Sequence, residues 1–147
     1  MVYFDHDKWG HIWYHTDKLV ISMALRMTPK VLLVDDDEAH VLLSQLLLQR
    51  LGYAVQVCMD GFEAEQVFRA APDDFYFVAT DFTMDRMDGL ELARRIIAIQ
   101  PQAAVVMLTG YDHPDILRAA REIGVRAVSL KPISTEEFYD IIKSMQL

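Results

Sequence analysis

From Lys30 onward apolar and polar stretches alternate regularly, and that alternation predicts the elements. Residues 31–34 are a continuous apolar run, as expected of a strand buried on both faces. Residues 38–51 carry apolar side chains at Val41, Leu42, Leu46 and Leu47, a helical spacing, and Gly52 stands where a helix C-terminal cap belongs. Residues 53–58 read as a second strand, and 61–71 as a second helix stopped by Pro72. A third strand over 75–80 ends at Asp81. The third helix runs from Asp88 to Gln100, with Asp88 and Glu91 spaced as a capping pair and Pro101 just beyond. Residues 104–108 give a fourth strand, Pro114 opens a fourth helix that runs to Gly124, and 127–130 give a fifth strand. Ser134 and Glu137 are spaced to open a final helix.

Five strands alternating with five helices predict an α/β fold, a doubly wound parallel sheet with right-handed crossovers and helices on both faces. Such sheets carry their functional crevice at the carboxyl ends of the strands. The residues expected there are Asp35 and Asp36, Asp81, Thr109 and Lys131. The chemically potent side chains fall where the architecture puts a site.

Residues 1–28 lie outside this alternation and read as an N-terminal extension to a domain spanning 29–147. Tyr3, Phe4, Trp9, Trp13 and Tyr14 crowd in with His6, His11 and His15 and show no clear period. His11 and His15 are four apart, a spacing that can bind a transition metal with His6 or Asp17 as a third ligand. Gly10 weakens a helix there, and the aromatics read better as a packing surface, against the same chain or a second copy.

Composition narrows the class. A length of 147 residues suits one domain, and a net charge of -8 argues against direct nucleic-acid binding, which needs clustered Lys and Arg. No apolar stretch approaches the roughly 20 residues of a membrane crossing. The single cysteine, Cys58, excludes an internal disulfide and suits a reducing cytoplasm. Cys58 alternates with apolar neighbours, so a buried thiol is expected rather than a redox sensor. His40 and His113 stand at helix starts and read as surface residues.

Carboxylates gathered at one sheet edge repel each other unless a cation sits among them or some stay protonated. Hard oxygen donors without nearby His or Cys favour Mg²⁺, which takes one or two protein carboxylates plus phosphate oxygens. Lys131 supplies a cation for a phosphate and Thr109 a hydroxyl donor. A carboxylate can attack phosphorus and hold it as an acyl phosphate, and Asp81, central among the strand ends, is the candidate nucleophile. Taken alone, Asp35, Asp36 and Asp37 also suit a solvated turn that caps a helix; Asp88 reads as a cap rather than a ligand.

The strings VLLVDDDEAH at 31–40, DFTMDRMDG at 81–89, MLTG at 107–110 and LKP at 130–132 together resemble the receiver domains of two-component signalling. Each string is weak alone; the four in order are specific, and they cover residues 30–147. The resemblance implies a flavodoxin-like (βα)5 sheet in strand order 2-1-3-4-5. It implies Asp81 as phosphoacceptor and Mg²⁺ on Asp36, Asp81 and the Thr83 backbone carbonyl, with Asp35 acting largely through water. Lys131 would pair with the phosphate, Thr109 would be the switch hydroxyl, and a cis bond before Pro132 would hold Lys131 inward. The implied partners are a sensor histidine kinase or histidine phosphotransfer protein and a downstream protein target. A homodimer through the extension or the fourth helix and fifth strand is a further expectation. Enzymatic action is limited to Mg²⁺-dependent self-phosphorylation and self-dephosphorylation.

This chain departs from the family pattern at three places. Asp85 stands where receivers commonly have Pro, adding an acid near the pocket and loosening the loop. Val128 stands where chemotaxis-type receivers often have Tyr or Phe. Tyr111, two residues after Thr109, is placed to cover part of the phosphate. Asp85, Val128 and the N-terminal extension motivate an alternative, a receiver-like docking or dimerisation module indifferent to phosphorylation. An electron carrier of the flavodoxin type shares the layers but is set aside, because the acids after the first strand would repel a flavin phosphate.

Overall fold

Five short apolar runs pair into one parallel sheet in the order β2-β1-β3-β4-β5 in the computed structural model, which describes residues 28–145. The strands are β1 (Lys30–Val34), β2 (Ala54–Cys58), β3 (Phe75–Asp81), β4 (Val105–Thr109) and β5 (Ala127–Leu130). The helices are α1 (Glu38–Arg50), α2 (Gly61–Ala70), α3 (Gly89–Ile99), α4 (Pro114–Ile123) and α5 (Thr135–Met145). The expected strand order and element sequence are borne out. The histidines and aromatics of the extension, with their metal and packing readings, lie outside the described residues.

The sheet separates two cores, and alternation along each strand decides which side chain enters which. On β1, Val31 and Leu33 face one core with Val41, Leu48 and Phe138 of α1 and α5. Leu32 and Val34 face the other with Phe68, Leu92 and Ile96 of α2 and α3. β1 and β4 are buried almost throughout, as strands covered on both faces must be. The β5 margin differs: β5 has no buried residue, and α4 buries Ala120 alone.

Most caps form as the spacing predicts. Asp37, Asp60 and Asp88 each accept a backbone N–H three residues on, opening α1, α2 and α3. Ser134 and Glu137 bond reciprocally before α5. Gly52 has φ 93°, and the N–H groups of Gly52 and Tyr53 return to the carbonyls of Gln49 and Leu48, closing the end of α1. The Lys131–Pro132 bond is cis.

One face was misassigned by spacing alone. The buried stripe of α1 is Val41, Ser44, Leu47 and Leu48, while Leu42 is 59% and Leu46 48% exposed. A leucine-rich helix offers more than one apolar stripe at a 3.6-residue period, and the contact with β1 and α5 selects among them. Leu48→Ala should therefore destabilise the chain by about 3 kcal/mol in denaturant unfolding. Leu42→Ala should change stability by less than about 0.5 kcal/mol.

Cys58 ends β2 and is 1% exposed. Burial, with smaller contributions from Glu63 and Asp60, pushes its thiol up to about 12. The folded chain should resist alkylation at pH 8 and react at once when unfolded. Because the unfolded thiol ionises first, this residue should subtract stability as the pH rises above about 8.5 towards its folded value.

Candidate functional site

Asp35, Asp81 and Lys131 are each fixed at or beside a hydrogen bond that continues the sheet just past the regular ladder. The N–H of Asp35 donates to the Cys58 carbonyl at 3.2 Å, and the N–H of Phe82, next to Asp81, donates to Leu108 at 3.0 Å. The N–H of Lys131 donates to the Thr109 carbonyl at 2.8 Å. Main chain from all five strands thus sets the position of the side chains that meet here. Asp81 and Thr109 are the last residues of their strands rather than the first beyond them. The start of α3 packs tightly beneath: a Cβ at Gly89 would collide with the backbone of Asp81 and Phe82, so only glycine fits.

Asp35, Asp36 and Asp81 each bring one carboxylate oxygen within 4.8 Å of the others. Asp35 is 3% exposed. Its Oδ1 accepts the Asp37 N–H at 3.0 Å and its Oδ2 accepts from Lys131 Nζ at 2.6 Å. Lys131 Nζ also lies 3.2 Å from Asp81 Oδ1. Among the described residues the grouped ligand atoms are all carboxylate oxygens, a donor set that suits a hard cation such as Mg²⁺.

Burial raises the Asp81 carboxyl above its ordinary value; Lys131 opposes this and Asp35 adds to it. The ammonium therefore offsets only part of the burden of ionising Asp81.

Thr109 is buried beside this group, on the strand adjacent to β3. Its hydroxyl is occupied by the backbone of Tyr111, accepting the N–H at 3.1 Å and lying 3.4 Å from the carbonyl. Tyr111 and Thr83 line a cleft of about 470 Å³ that opens beside Asp81 and Lys131.

His40 is exposed, as expected, and its ring also lines this cleft, with Nδ1 3.1 Å from Lys131 Nζ. His113 also stays at the surface, where Nδ1 accepts the Asp115 N–H and caps α4. The Asp85 N–H donates to Asp36 Oδ2 at 3.2 Å and ties the loop to the cluster. Among the described residues no helix is long and apolar enough to cross a membrane.

The raised Asp81 carboxyl has a stability consequence. The folded chain holds this proton more tightly than the unfolded chain, so ionisation in the fold subtracts stability as the pH rises above the ordinary aspartate value of about 3.9. In metal-free buffer at pH 7, Asp81→Asn should raise the melting temperature. The gain should shrink as the pH falls towards the ordinary aspartate value, where the unfolded chain also takes up the proton. A lower melting temperature for the variant at pH 7 would show that the Lys131 pair outweighs burial.

The geometry agrees with the comparisons. The sequence model of the response regulator receiver domain matches residues 31–143. The sensory/regulatory protein RpfC of Xanthomonas campestris is 31% identical over 121 residues, covering 79% of this chain and 16% of that one. The chain thus spans about a sixth of that relative's length. Sporulation initiation phosphotransferase F of Bacillus subtilis is 28% identical over 118 residues, covering 80% of this chain and 93% of that one. A crystal structure of a response regulator receiver domain protein from Clostridium thermocellum superposes with a TM-score of 0.76 at 26% identity, covering 80% and 93% of the two chains. With the fold, the strand-end cluster and the sequence match in agreement, the chain belongs to the response regulator receiver domains of two-component signalling.

Proposed function

We propose that this domain accepts a phosphoryl group on Asp81 from a phosphohistidine on a sensor kinase or a histidine phosphotransfer protein. The observation that carries this is the meeting of three carboxylates within 4.8 Å with Lys131 Nζ 3.2 Å from Asp81 Oδ1. A domain with no phosphochemistry has no physical need for such a cluster, which weighs against the docking module indifferent to phosphorylation.

In the transfer, an Asp81 carboxylate oxygen attacks phosphorus, the P–N bond of the donor breaks, and the imidazole leaves with its electron pair. Lys131 follows the charge, trading its contact with Asp81 for a phosphoryl oxygen. Thr109 must release the Tyr111 backbone before its hydroxyl can reach that phosphoryl group. Asp36, Asp81 and the Thr83 carbonyl are the groups that would hold Mg²⁺, with Asp35 as a more buried partner. Bound there, the ion supplies positive charge for the phosphoryl oxygens. Water later cleaves the acyl phosphate and regenerates the carboxylate.

Output runs through protein contact or onward transfer of the phosphoryl group in the cytoplasm. The name of the Bacillus relative, a phosphotransferase, supports the relay form. Exposed Leu117 and Leu130 on the α4–β5 side support that face as a contact surface, with a second copy or with a target.

The test is phosphoryl incorporation from a small acyl-phosphate donor, read on a phosphate-affinity gel. Wild type should be labelled only with Mg²⁺ present, and Asp81→Asn should show at least a hundredfold less label. Absence of label in folded wild type, or equal label in the variant, would overturn the assignment of Asp81.

A further inference from the structure

The loop between β3 and α3, residues 82–88, is fastened on both sides. On one side, Arg86 Nη2 lies 3.3 Å from Asp60 Oδ2, and its guanidinium stands over the Phe62 ring at 5.2 Å. Arg86 has φ 66°, a left-handed conformation that a side chain rarely adopts unless held there. On the other side, the Asp85 N–H donates to Asp36 Oδ2. Between these fastenings the backbone at Asp85 has little freedom to drift from the carboxylate.

The three clustered carboxylates differ in what holds them. Asp35 is buried and takes both the Asp37 N–H and Lys131. Asp81 ends a sheet strand and pairs with Lys131. Asp36 is exposed, and the Asp85 N–H is the one hydrogen bond to its side chain among the described residues. Its orientation therefore depends on a single main-chain donor 49 residues away in sequence.

We infer that the backbone N–H of Asp85 is a positioning group for Asp36, fixing the orientation in which that carboxylate meets a divalent cation. The inference rests on the reading of this cluster as a Mg²⁺ site. The donor belongs to the main chain, so any residue except proline supplies it, and the Asp85 side chain is incidental. An N–H donated to a carboxylate restricts the carboxylate's rotation before the ion arrives, as partners of metal ligands generally do.

The test is calorimetric Mg²⁺ affinity of the full chain as wild type, D85N and D85P. D85N keeps the N–H and should bind within about threefold of wild type, since it removes one exposed charge. D85P should bind roughly tenfold more weakly, the low end for loss of a ligand's outer partner. A folded D85P with wild-type affinity would overturn the inference while leaving the Mg²⁺ site standing. Equal weakening in D85N and D85P would also overturn it, by assigning the effect to the side chain. Wild type that binds no Mg²⁺ would fail the site and the inference together.

Should D85P not fold, the amide of residue 85 is followed by NMR in metal-free wild type and D36N. Loss of the anionic acceptor should move its proton upfield more than the other amides of the loop. A proton that stays in place would overturn the inference.

Discussion

The fold closes around a single ammonium. Lys131 Nζ reaches Asp35 and Asp81 at once, and without it Asp35 would be an uncompensated charge at 3% exposure. The requirement reaches back into the topology. Placing a lysine from the fifth strand against carboxylates from the first and third needs β1, β3, β4 and β5 side by side, in parallel and in register. The Lys131 N–H on the Thr109 carbonyl fixes that register at its far end. Both hydrophobic cores serve this arrangement, since they hold the sheet flush from its two faces.

The ammonium does not fully satisfy what it binds. Burial still raises the Asp81 carboxyl, so the group proposed to carry out the chemistry is one whose ionised form the fold disfavours. Its immediate surroundings leave little room to adapt: Gly89 lies against its backbone, and Thr109 is engaged with Tyr111. A change at Asp81 must therefore be answered by groups whose present bonds can be exchanged, chiefly Lys131 and Thr109.

Much of this was legible in the sequence. Apolar runs bounded by Gly and Pro marked the strands, and Asp, Ser and Glu at capping intervals marked where helices begin. The strand ends then gathered Asp35, Asp36, Asp81, Thr109 and Lys131 without further assumption. What could not be read depends on contacts between segments remote in sequence. The buried stripe of α1 is chosen by its neighbours, because a run such as Leu46, Leu47 and Leu48 satisfies several stripes. His40 meets Lys131 across 91 residues, and no local pattern announces that meeting. Asp85 misled for a related reason. Its side chain suggested another acid, whereas its contribution to the cluster is a backbone donor that residue identity conceals.

The unequal burial of the sheet gives the molecule a direction of compliance. β1 and β4 are locked between two cores, whereas β5 has no fully buried residue and α4 fully buries only Ala120, with Ile123 partly buried against the core. Exchanging one charge-assisted hydrogen bond at the strand ends shifts the energy by about 1.5–3 kcal/mol. That is small against the packing of the central strands and weighs more at the less buried margin. A stress raised among the carboxylates therefore relaxes most readily towards the α4–β5 margin, much as a plate clamped along one side bends at its free edge.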